Sequence, residues 1–120
     1  MSINRILKNP AVKLTATLRI VSEVEPFFGP GRLQLLENIE KTGSINQAAK
    51  NMNMSYKKAW QMINSMNSQT KMPIILTQTG GSSGGGAIVS EDGRELMHYY
   101  QNLQERFQIF LDQELKKLMS

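Results

Sequence analysis

Residues 44–58 read Ser-Ile-Asn-Gln-Ala-Ala-Lys-Asn-Met-Asn-Met-Ser-Tyr-Lys-Lys, and no other stretch constrains the fold as tightly. Two small residues, Ala48 and Ala49, fall inside a short helical pattern. A polar turn at 51–53 follows, and Ser55 opens a second helix. Helices that cross steeply come into close contact only where side chains are small. The sharp turn between them favours a residue that tolerates positive φ, as Asn does. The pattern predicts a helix-turn-helix.

The elements around it complete a small domain. Val12, Leu14, Ala16, Leu18 and Ile20 alternate with Lys13, Thr15, Thr17 and Arg19, a period of two that predicts a strand with one buried face. Residues 1–11 read as a frayed tail. Pro26, Gly29, Pro30 and Gly31 read as a turn. A first helix over 32–42 carries Leu33, Leu36 and Ile39, with Gly43 suited to a left-handed C-terminal cap. Ser44 and Gln47 form an S-x-x-Q capping box for the second helix, which buries Ile45, Ala48, Ala49 and Met52. Ser55 caps the third, whose inward stripe is Ala59, Met62, Ile63 and Met66. Strands at 74–77 and 87–89 flank a glycine-rich loop at 79–86. Ser90 then caps a helix of about 28 residues, a rod of roughly 40 Å. The fold expected is mainly α with a small antiparallel β-sheet: a winged helix-turn-helix over 12–90, followed by a long C-terminal helix over 91–120.

Composition narrows the function classes. A chain of 120 residues supports one domain with a real core. It has no cysteine, so disulfides, thiol chemistry and Cys-based zinc sites are excluded. No membrane span or signal peptide is legible, which predicts a cytoplasmic protein. Its net charge is only +4, but the distribution is uneven. Between Glu40 and Glu91 there is no carboxylate, while Lys41, Lys50, Lys57, Lys58 and Lys71 lie in that window. A solvated face normally mixes signs, so an acid-free segment around a helix-turn-helix predicts a polyanionic partner, double-stranded DNA.

With these elements placed, the chain resembles the N-terminal DNA-binding domain of the ModE-type, molybdate-responsive transcription regulators. The resemblance rests on Gly29-Pro-Gly-Arg-Leu-Gln-Leu-Leu36, Thr42-Gly-Ser-Ile45, Met54-Ser-Tyr-Lys-Lys-Ala-Trp60 with Asn64 to Asn67, and Thr79-Gly-Gly with Gly84-Gly-Gly-Ala87. It covers roughly residues 12–110. A more distant likeness to LysR-type DNA-binding domains shows at the Ala-Ala pair and at Ser55. The resemblance implies the winged fold and DNA binding. Two departures stand out: the family adds C-terminal molybdate-binding domains, and its hairpin carries basic residues where this chain has Gln78, Ser82 and Ser83.

The expected DNA-binding residues are Ser55, Tyr56, Lys57, Lys58, Gln61 and Asn64 on the third helix. Thr79, Gly80, Gly81, Ser82 and Ser83 join them on the wing, where bare backbone can approach phosphate. Lys57 and Lys58 oppose the helix dipole, a local cost that a phosphate or guanine contact would explain. Tyr56 serves equally as packing or as a phosphate contact, and Trp60 reads as packing. The glycine cluster is no nucleotide-binding loop, since it lacks a terminal Lys-Ser or Lys-Thr and joins two strands. No nucleophile–base pair, metal site or cofactor site is legible. One histidine, His98, does not make a metal centre. The apolar seam of Leu96, Tyr100, Leu103, Phe107, Leu111, Leu115 and Leu118 exceeds what one small core can cover, so it predicts a homodimer. The leading expectation is a dimeric, sequence-specific DNA-binding regulator, with a possible separate sensor protein. The alternative is a winged-helix protein-interaction module with little DNA affinity.

Overall fold

The computed structural model describes residues 2–78 and 86–120. In chain order the elements are β1 (Ile20–Val21), β2 (Pro26–Phe28), α1 (Pro30–Thr42), α2 (Ile45–Asn51), α3 (Tyr56–Ser68), β3 (Ile75–Gln78), β4 (Gly86–Val89) and α4 (Glu91–Met119). β1 pairs antiparallel with β2. β3 pairs antiparallel with β4, with Ile75 opposite Val89 and Gln78 opposite Gly86. This is a winged helix-turn-helix followed by a long helix.

The core sits where α1, α2, α3 and the start of α4 meet. Leu35, Leu36, Ile39, Ala48, Ala59, Ile63 and Met66 are fully enclosed, and Phe28 meets Tyr100 edge-on with ring centroids 5.1 Å apart. Local chemistry sets each boundary. Pro30 occupies the first turn of α1, where a missing N–H costs nothing, and Gly43 ends that helix at φ 68°. Ser44 and Ser55 accept from the backbone N–H of Gln47 and Lys58. The box at α2 is only half made. Gln47 turns away to donate to Asn51, and the Ser44 N–H donates to Thr42 Oγ1 instead.

Three expectations are corrected at the N-terminal side. The strand over 12–20 shrinks to Ile20–Val21, because residues 12–19 have no neighbouring strand edge to take their backbone hydrogen bonds. Alternation made the segment extended, but extension is not a ladder. It runs along α4 instead, with Leu14 and Leu18 half-buried and Val12, Ala16 and Ile20 exposed. Tyr100 Oη donates to the Leu18 carbonyl at 2.7 Å, and burial pushes the Tyr100 pKa up, keeping the proton that bond requires. The tail is also tied down: Ser2 Oγ and Asn4 Nδ2 both donate to the Met119 carbonyl, one of the orphan acceptors at the end of α4. Finally, the turn expected at 26–31 holds β2 and the first residues of α1. Arg32 donates to the carbonyls of Pro26 and Phe27 at 2.8 and 2.9 Å, fixing that entry.

Gly93, in the first turns of α4, packs against the hairpin so closely that a Cβ there would lie 2.6 Å from the Ile74 carbonyl and 2.7 Å from Val89 Cγ1. Helix propensity favours Ala over Gly by about 1 kcal/mol, whereas overpacking costs about 1–3 kcal/mol. We therefore expect Gly93→Ala to lower the thermal midpoint by several degrees. A rise would show that α4 can slide away from the hairpin at no cost.

Candidate nucleic-acid interface

α3 divides cleanly into two faces. Ala59, Met62, Ile63 and Met66 are buried, while Ser55, Tyr56, Lys57, Lys58, Gln61 and Asn64 are all exposed. The turn that aims this helix depends on Asn53, at φ 54° the only non-glycine with positive φ among the described residues. Met54 N–H then donates to the Ala49 carbonyl at 3.0 Å, and Ala48 and Ala49 lie wholly inside the contact between helices. Larger side chains there would push α3 off its seat.

The polar residues of α3 separate into committed and free groups. Asn67 Oδ1 accepts from the N–H of Ile74 (2.8 Å) and Ile75 (3.2 Å), and its Nδ2 donates to the Ile75 carbonyl. Ser65 and Gln69 both donate to the Pro26 carbonyl. By contrast, among the described residues no side-chain hydrogen bond engages Tyr56, Lys57, Gln61 or Asn64. Lys57, Gln61 and Asn64 follow one another at four and three residues and share one face. The one ion pair among the described residues is Lys117–Glu114 at 4.0 Å, so Lys57 and Lys58 have no carboxylate partner. Tyr56 is half exposed, with its ring edge-on to Trp60 at 6.2 Å, and Trp60 packs on the core. This leaves the Tyr56 hydroxyl available while the ring is steadied.

The base of the wing is held at two points. Asn67 clamps the start of β3 to α3, and the Ala87 N–H donates to the Gly43 carbonyl at 3.0 Å, pinning β4 to the α1–α2 turn. Thr79, Gly80, Gly81, Ser82 and Ser83 lie outside the described residues. Asn67 was missed as an anchor in the sequence because it reads as one more surface amide. Its position on the flank of α3, off the Lys57–Gln61–Asn64 face, was the available signal. Asn67→Leu takes the side-chain acceptor from the Ile74 and Ile75 N–H groups, so we expect a loss of about 2–3 kcal/mol in denaturant unfolding. An unchanged midpoint would remove Asn67 from this role.

The seam of α4 is arranged differently from the expectation. Tyr100 belongs to the chain's own core at 1% exposure, and Leu96 packs against that core. Phe107, Leu111 and Leu115 border grooves of about 140 and 340 Å³ between α4 and the N-terminal segment. Leu103 is half-buried. The exposed apolar residues are instead Tyr99, Ile109 and Phe110. No helix among the described residues is long and apolar enough to cross a membrane, and no cluster of three metal-ligating side chains occurs among them.

The sequence profile of bacterial regulatory helix-turn-helix proteins of the lysR family matches residues 30–94, from the first turn of α1 to the first turn of α4. Similar known proteins carry the ModE name. The chain is 35% identical over 108 residues to the molybdenum transport protein ModE of Azotobacter vinelandii, covering 90% of this chain and 40% of that protein. It is 39% identical over 98 residues to the transcriptional regulator ModE of Haemophilus influenzae, with coverage of 82% and 37%. With the DNA-binding transcriptional dual regulator ModE of Escherichia coli the identity is 35% over 112 residues, with coverage of 90% and 42%. The chain thus spans about two fifths of the length of these relatives.

Proposed function

Because the chain belongs to the bacterial regulatory helix-turn-helix proteins of the lysR family, we propose that it is a ModE-like, sequence-specific DNA-binding regulator that acts as a homodimer in the cytoplasm. The observation that carries this is the free polar face of α3. Lys57 and Lys58 open it with no carboxylate partner, and Gln61 and Asn64 continue it with their amides unused.

α3 enters the major groove with its N-terminal turn leading. Lys57 and Lys58 then meet phosphate or guanine, and Gln61 and Asn64 are placed to read adenine edges. Ser55 spends its oxygen lone pair on the helix cap and keeps a hydroxyl proton for phosphate. The Tyr56 hydroxyl is a second phosphate donor. Thr79, Gly80, Gly81, Ser82 and Ser83, between β3 and β4 in sequence, offer amides and hydroxyls to the adjacent phosphates. α4 holds two copies so that their recognition helices meet half-sites of an inverted repeat. The chemistry is binding alone: Glu91 and Asp92 serve the first turn of α4, and no cofactor is required.

Footprinting of the bound duplex tests the reading. Two protected patches with centres about one helical turn apart, or a multiple of it, are expected on an inverted repeat. A single patch, or protection with no sequence preference, would count against a dimeric sequence reader.

No molybdate sensing is assigned to these 120 residues. The anion donors available here, the first turn of α3 and the wing amides, are given to DNA. Micromolar molybdate should leave the melting temperature of the purified chain unchanged. A ligand at a hundred times its Kd would add about 2.7 kcal/mol. A saturable shift selective for molybdate over sulfate would overturn the assignment.

A further inference from the structure

An apolar groove of about 300 Å³ lies where the first turns of α4 face the loop that follows α3. Leu96 and Tyr99 line it from α4, and Met72 lines it from the loop. Tyr99 is 68% exposed and Met72 62% exposed, so much of this apolar surface is uncovered. Asp92 and Glu95 border the groove on the α4 wall, and Lys71 borders it on the loop side. These three charged residues are exposed, and none is ion-paired, since the one ion pair among the described residues is Lys117–Glu114. The α4 wall therefore presents two unneutralised carboxylates beside an aromatic ring.

We propose that this groove docks a helical segment of a different protein, one that presents an apolar anchor flanked by cationic side chains. Docking here is independent of DNA binding at α3. The floor sets the anchor: an aromatic ring offers a large area to bury, and a methionine adapts its shape to what covers it. Depth selects a helix over a small molecule. A small ligand is normally enclosed over most of its surface, whereas an amphipathic helix lays its apolar face across an open trough. Charge sets the flanks. Asp92 and Glu95 outweigh Lys71 at the rim, so cations beside the anchor are drawn to the α4 wall and carboxylates are turned away. The same two carboxylates disfavour phosphate, which sets nucleic acid aside as the occupant. Position keeps the groove open on DNA. Its loop begins after Ser68, the last residue of α3, while Lys57 and Lys58 lie in the first turn of that helix. One surface of the chain then meets duplex and another meets protein.

The probe is a synthetic helical peptide with Leu and Phe four residues apart and Lys on both sides of that pair; its control carries Glu in place of each Lys. Isotope-labelled methionine methyl groups in the full chain report the site by NMR, because Met72 lines the groove. The Lys-flanked peptide should shift the Met72 methyl resonance saturably, and the Glu-flanked peptide should bind about five- to tenfold more weakly. Glu95→Lys turns the rim from net negative to net positive, so it should reverse that preference. Tyr99→Ala should weaken both peptides several-fold. Both residues are exposed, so both variants should fold. Absence of any shift, or shifts at other methionines with Met72 unmoved, would overturn the site. Equal binding of the two peptides, or a preference that Glu95→Lys leaves in place, would overturn the stated chemistry of the partner. A Met72 resonance that moves when the chain alone is diluted would give the groove to a second copy and overturn a heterologous partner.

Discussion

Replacing Lys57 and Lys58 together by Ala should abolish high-affinity binding to the operator while leaving the fold intact. Both side chains project from the first turn of α3 into solvent, and neither has a carboxylate partner among the described residues. Removing them takes away no ion pair and relieves a mild repulsion with the helix dipole. Thermal stability should hold or rise by a few tenths of a kcal/mol. Each lysine that reads a base is worth about 1–3 kcal/mol per half-site. Each that meets phosphate contributes to counterion release, so losing both from two half-sites should flatten the slope of log K against log salt by about 3 to 4. The single variants separate the roles. If Lys57 reads a base, Lys57→Ala relaxes preference at one position, whereas a phosphate contact weakens all sequences alike. Unchanged affinity in the double variant would move the recognition surface off α3.

Truncation after Arg106 should produce the second large effect. It removes Phe110, Leu111, Leu115 and Lys117 but keeps Met97 and Tyr100, which belong to the core. The wing and helix-turn-helix should still fold, with some loss of stability because the tail can no longer reach the Met119 carbonyl. Two linked half-site readers gain about 10² to 10⁴ in affinity from effective concentration alone. The truncated chain should lose that factor on the inverted repeat and bind an isolated half-site as the full chain's single reader would. Retention of full operator affinity would mean that the dimer, if any, is built elsewhere.

The parts of the fold that were legible in the sequence are those where one residue's chemistry decides a local geometry. Gly43 and Asn53 mark the two left-handed positions among the described residues, Ser44, Ser55 and Ser90 the N-caps of α2, α3 and α4, and Ala48 and Ala49 the close helix contact. The parts that were not legible depend on what lies opposite. The alternation at 12–20 was real, but whether it forms a strand depends on a partner edge that no local pattern reveals. Tyr100 and Tyr99 are adjacent in sequence, yet one is the centre of the core and the other faces solvent. A run of apolar residues at steps of three and four fits either face. Gly93 and Asn67 look like a weak helix position and a spare surface amide until the hairpin is seen to rest on them. For the proposed interface, what was legible is the exposed face of α3, because a capped helix with an inward apolar stripe is visible in one dimension.

The central claim is that α3 of this chain binds duplex DNA through its unpaired lysines. Its most direct test is equilibrium binding of the unmodified protein to an inverted-repeat duplex across a series of salt concentrations, followed by fluorescence anisotropy. If each half of the dimer neutralises about three to five phosphates, log K should fall linearly with log salt at a slope of roughly −5 to −9. Binding that is absent at low salt, or present with no dependence on salt, would contradict the claim.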